Sequence, residues 1–185
     1  MKFYKKELID LTKSWAVISF IFYISGSRTL YSFLVSSIIV GMAFIFHELS
    51  HKYLAQRYGL NVKYRSFDGM LLLSLLLSLI GLIFLAPGAV MIRSEGSDKI
   101  RMGRIASAGP LSNIIMGILF FLSYLYFSYN FLIYGFYINS FIALFNMIPV
   151  FMFDGKKVLS WNKSVFYLLL IVSFGMFLYS SYLMN

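Results

Sequence analysis

The sequence predicts an all-α polytopic membrane protein of five or six transmembrane helices, built as a single domain over residues 1–185. Three observations carry this. Of the residues, 60% are hydrophobic and 12% charged, where a soluble domain has roughly a quarter charged. The mean hydropathy is +0.80. The apolar residues are gathered in long runs separated by short basic segments. A water-soluble fold of this length has too little interior for so much apolar surface, so part of its solvent is lipid.

Six apolar runs follow one another, at about residues 11–25, 29–58, 69–86, 105–129, 131–153 and 164–184. A crossing helix needs about 20 apolar residues. The first run reaches that length only with its flanks. It follows Lys2, Lys5, Lys6 and Lys13 and so imitates a signal peptide, but no small-residue cleavage site follows, and it is read as part of the mature protein. Helix is expected throughout the runs, because unpaired backbone is costly in lipid.

Charge sets the expected topology. Basic residues mark the N-terminal tail, the stretch Lys52, Arg57, Lys63, Arg65, the stretch Arg93, Lys99, Arg101, Arg104, and the group Lys156, Lys157, Lys163. The positive-inside rule places all four on the cytoplasmic side of a cell membrane. The third run then has inside loops at both ends. Charge favours a re-entrant segment, with Gly81, Pro87 and Gly88 permitting the turn and residues 89–92 returning; run length favours a sixth crossing. Residues 61–67 alternate modestly. They are read either as a strand pairing with the segment after Pro87, which would offer an edge to an extended substrate, or as a surface loop.

The second run ends in Phe46-His47-Glu48-Leu49-Ser50-His51. Histidines at i and i+4 share one helix face, so both imidazoles can reach one Zn²⁺ while Glu48 approaches a water on the metal. His47 and His51 are the only histidines, and Cys is absent. The competing reading is an interfacial pair of histidines with Glu48 bound to Lys52. Of the seven acids, Glu7, Asp10, Glu48, Asp68, Glu95, Asp98 and Asp154, only Glu48 and Asp154 lie in or at the end of a long helix. An ionisable group at membrane depth is a functional candidate by default. A third zinc ligand must be a carboxylate, since neither Cys nor a further His exists. Asp154 is preferred: Pro149 breaks the preceding helix, Gly155 permits a close approach, and both motifs lie toward the inner ends of their runs. Asp68 is the alternative.

These residues resemble the site-2 protease family of intramembrane zinc metalloproteases, in the form of a minimal archaeal-type member. The resemblance rests on His47-Glu48-Leu49-Ser50-His51, on Asn146-Met147-Ile148-Pro149 with Asp154-Gly155, on Ala108-Gly109-Pro110-Leu111-Ser112-Asn113 as a Gly-Pro helix start, and on Pro87-Gly88-Ala89-Val90. It covers about residues 29–160. It implies one Zn²⁺ per chain held by His47, His51 and Asp154, with Glu48 as general base in hydrolysing peptide bonds of single-span membrane proteins. Asn146 is the candidate oxyanion donor, with helix–helix hydrogen bonding as its other reading; Asn113 carries the same two readings.

Two other classes compete. A membrane zinc transporter or channel would use the same residue types, but spreads its ligands along a path, whereas here both histidines and Glu48 fall within one helical turn. An inactive substrate-binding homologue would have no need of Glu48. The basic residues form no nucleic-acid-like face. The expected partners are the bilayer and a substrate helix; oligomeric state is not set by the sequence.

Overall fold

The computed structural model describes residues 1–26, 28–93, 98–150 and 153–184. Glu95 of the acid census lies outside them. The chain runs α1 (Lys5–Ser25), α2 (Leu30–Arg57), β1 (Asn61–Ser66), α3 (Asp68–Leu79), β2 (Gly88–Arg93), α4 (Lys99–Phe127), α5 (Asn130–Asn146), α6 (Asp154–Trp161) and α7 (Lys163–Met184).

Among the described residues, α1, α2, α4 and α7 are long and apolar enough to cross a membrane. α5 has 17 residues. The helices present apolar surface outward: Leu125, Leu168 and Ile171 are 62%, 62% and 67% exposed. That pattern suits lipid and not water. Three helix starts, those of α2, α4 and α7, are capped by side chains. Thr29 Oγ1 accepts from Ser32 N at 3.1 Å, and Ser32 Oγ returns the bond to Thr29 N at 3.0 Å. Asp98 accepts from Ile100 N, and Asn162 from Val165 N.

Neighbouring helices alternate in direction. Glu7 meets Lys52, while Trp15 donates to Ser37 O at 2.8 Å, so α1 and α2 are antiparallel. Phe121 stacks near Phe136 and Asn113 bonds Asn139, which makes α4 and α5 antiparallel. Glycine allows several of these approaches. A Cβ at position 41 would overlap the Trp15 indole, and one at position 103 would overlap Trp161.

The third apolar run leaves the two-stranded sheet and returns to it. β1 and β2 pair antiparallel, with Ser66 opposite Gly88. Phe67 N donates to Pro87 O at 2.9 Å, so the excursion between the strands leaves and rejoins one sheet. Its helix, α3, has 12 residues. At 1.5 Å per residue that is roughly 18 Å, short of the roughly 30 Å hydrocarbon core. Gly81, at φ +83°, supports the reversal. Gly88 is needed where the strands close, because a Cβ there would overlap Arg65 O and the Tyr64 hydroxyl.

Three sequence expectations change. The N-terminal segment is not a tail: α1 starts at Lys5, and Glu7 and Asp10 are buried. Lys52 is not a loop cation either. It is 1% exposed and bonds Glu7, which also accepts from Tyr64 N at 2.9 Å. Apolar periodicity gave no hint of this polar stripe, which continues through Asp10 to Arg65 and Ser66 and through Lys13 to Asp68. Pro110 also lies inside α4, not at a helix start. Helix continues on both sides of it, and its missing N–H removes one ladder bond.

The returning excursion has a direct consequence. The chain has no Cys, so single cysteines can be introduced cleanly. Asn61→Cys and Met91→Cys, on either side of the excursion, should react with an impermeant thiol reagent from the same membrane face. Labelling from opposite faces would contradict the fold.

Candidate metal centre

α2 carries His47, Glu48 and His51, all buried. The two imidazoles lie one turn apart, with Nε2 atoms separated by 3.1 Å. The third group arrives from a distant part of the chain. α5 ends at Asn146, Pro149 prevents its continuation, and α6 begins at Asp154. Gly155 packs on the Met147 carbonyl, where a Cβ would clash, and this close approach fixes the start of α6 against the end of α5. Asp154 Oδ2 then lies 3.2 Å from His47 Nε2 and 2.9 Å from His51 Nε2.

The other face of each ring is engaged. His51 Nδ1 donates to Ile105 O at 2.7 Å, and His47 Nδ1 donates to Asn113 Oδ1 at 2.6 Å. A neutral imidazole carries one N–H, so with Nδ1 donating outward each Nε2 presents a lone pair inward. Two lone pairs and a carboxylate oxygen thus converge in a buried place. Such a set is mutually repulsive without a cation and suits a divalent metal. Tetrahedral zinc with bonds of about 2.0–2.1 Å sets its ligands roughly 3.3 Å apart, close to the separations seen here. His, His and carboxylate with a fourth position left for water is a donor set that zinc enzymes use.

A cavity of about 70 Å³ opens on this cluster, enough for several waters. Glu48, Asn146 and Lys157 line it, with apolar walls from Phe44, Ile142 and Phe153. Residues 87–90 and Ile92, mostly of β2, form a further wall. The Glu48 carboxylate makes no hydrogen bond among the described residues, and Lys52, its alternative partner, is taken by Glu7. Asn146 donates one amide hydrogen to Ile142 O at 2.9 Å.

We compared the chain with known proteins. It is 41% identical over 184 residues to a curated protein of Methanocaldococcus jannaschii whose name describes it, provisionally, as a zinc metalloprotease. The alignment covers 96% of each chain. This chain belongs to that zinc metalloprotease family. No family model matches it, and no solved structure does.

The structure of this metalloprotease brings together His47, His51 and Asp154, with Glu48 and Asn146 on the same cavity. Asp68, the alternative carboxylate, is instead at the exposed start of α3, bonded to Lys13 and Ser66. Lys13 first, then Ser66, holds its carboxyl below the usual carboxylate range. Sequence reasoning missed the groups behind the ligands. The Ile105 carbonyl leaves no trace in residue identity. Asn113 did offer a signal, as an amide in an apolar helix; its helix–helix bond proves to be one with His47 itself.

Gly109 packs not behind the rings but against their Cε1 and Nε2 edge. A Cβ there would overlap both histidine rings. Gly109→Ala should therefore reduce bound zinc, measured by elemental analysis, from about one ion per chain to a small fraction. Gly175→Ala, where nothing lies within 4 Å, should leave it unchanged.

Proposed function

We propose that this metalloprotease is an intramembrane enzyme of the site-2 protease type, hydrolysing peptide bonds in or near transmembrane helices of single-span proteins. The observation that carries the reading is the placement of a His-His-Asp cluster and Glu48 at one cavity among helices long enough to cross a membrane. Counting α5 with α1, α2, α4 and α7 gives five crossings. The sheet, α3 and α6 then belong to the cytoplasmic side, which agrees with the basic residues in and beside them. The active site would lie toward that side of the cell membrane.

His47, His51 and Asp154 would hold the metal. Zinc, when bound, polarises the scissile carbonyl and acidifies water to a usable nucleophile near neutral pH. Glu48 accepts the proton of the attacking water on its carboxylate and delivers it to the leaving amine nitrogen. Asn146 has a second amide hydrogen beyond the one bonded to Ile142 O, and this would donate to the negative charge that develops on the carbonyl oxygen. A substrate helix must be locally unwound before its carbonyl is accessible. β2 has β1 on one edge only and lines the cavity, so an extended substrate segment can be held there by main-chain hydrogen bonds.

Detergent-solubilised protein and a single-span model substrate test this directly. Glu48→Gln should retain zinc while cleavage falls by at least roughly 100-fold. Wild-type turnover in this variant would remove Glu48 as the base. Asn146→Ala should lower kcat by roughly 100-fold or more with little change in zinc content; an unaltered kcat would leave Asn146 as a helix-end hydrogen-bonding residue only.

A further inference from the structure

We infer that Asn139, on α5, is a positioning residue of the metal centre, acting through Asn113 on His47. Asn139 hydrogen-bonds to Asn113 and Gly135 O and not to the histidines, and it does not line the cavity. It is fully buried, as is Asn113. Its role follows from the direction of each bond in a chain of two side-chain amides that ends on the His47 imidazole.

Asn139 Nδ2 donates to Gly135 O at 2.9 Å, which turns Asn139 Oδ1 toward α4. Asn113 Nδ2 donates to that oxygen at 3.1 Å and to Ala43 O at 3.0 Å. Asn113 Oδ1 is thereby left facing His47 Nδ1. Flipping the Asn113 amide would set its oxygen against two acceptors, Ala43 O and Asn139 Oδ1, and its NH₂ against the Nδ1–H of His47. Each of these contacts is repulsive, and burial of all three residues makes the mismatch costly. Asn139 and Ala43 together thus lock the amide, the locked amide keeps the proton on His47 Nδ1, and His47 Nε2 keeps its lone pair for the metal.

The packing supports this reach. Gly117, one turn beyond Asn113, faces the same place on α5: a Cβ there would meet Asn139 Cβ in ordinary contact at 3.5 Å, while the Met176 methyl of α7, at 2.8 Å, would have to move. Gly135, whose carbonyl orients Asn139, is itself pressed by the Phe120 ring. Groups that orient metal ligands typically change metal affinity by 10–100-fold when removed. Asn139 is one bond further out and Ala43 O remains, so the lower end of that range applies.

This inference rests on His47 binding zinc, and the experiment separates the two. Zinc dissociation constants are measured by chelator competition for wild type, Asn139→Leu, Asn113→Leu, the double variant and Asn139→Asp, with the melting temperature of each metal-free form. Wild type that binds no zinc would refute the metal centre itself. If wild type binds, Asn139→Leu should weaken zinc about tenfold, and the double variant should be no weaker than Asn113→Leu alone. Asn139→Asp should stay near wild type, because a neutral carboxyl, favoured at membrane depth, donates to Gly135 O and accepts from Asn113. Zinc affinity within twofold of wild type in folded Asn139→Leu, or strictly additive losses, would overturn the assignment and leave Asn139 as a packing residue. Should Asn139→Leu not fold, Asn139→Ala removes the same acceptor and is read against the same two outcomes.

Discussion

Three hydrogen-bond acceptors held face to face in an apolar interior, His47 Nε2, His51 Nε2 and Asp154 Oδ2, are the constraint around which the molecule is arranged. Nothing in the helices' own stability favours that convergence. It persists because the opposite face of each imidazole is bound, to Asn113 and to Ile105 O, and because α5 and α6 meet at a glycine that lets Asp154 come within bonding distance. Low dielectric strengthens every one of these terms and makes each unmatched group costly. Zinc relieves the repulsion, so metal binding and the local fold are coupled.

The same physics organises α1. Its N-terminal half carries Glu7, Asp10, Lys13 and Ser14, and each finds a partner on α2, on the sheet or at the foot of the excursion. The Tyr64 hydroxyl donates to Ser14, and Ser14 reaches Pro87 O at 3.4 Å. α1 is therefore the support of the two strands, and β2 forms one wall of the cavity. Ion pairs of this depth are weak evidence for stability; here they set register, holding strand and metal-bearing helix in fixed relation.

The apolar exterior and the polar interior divide the work. Lipid-facing leucines and aromatics need no particular partner, so their identity is loosely constrained. The interior amides of Asn113 and Asn139 and the carboxylates of Glu7 and Asp10 are matched to specific partners. That is why a chain with few charged residues commits several of them to a single cluster on α1, α2 and β1.

Some of this was readable in the chain alone. Membrane character follows from composition, and the His47–His51 pair follows from helical periodicity, because both are local properties. The absence of Cys and of a third His restricted the last ligand to a carboxylate. Pro149, Gly155 and position along the runs already favoured Asp154 over Asp68, and charge already favoured a re-entrant third run while run length favoured a crossing. The burial of Lys52 against Glu7 and the orientation of His47 by Asn113 left no such signal, because they depend on which helices pack together. A linear pattern reports which face of a helix is polar, but not what will meet it; only the tertiary structure supplies the partner.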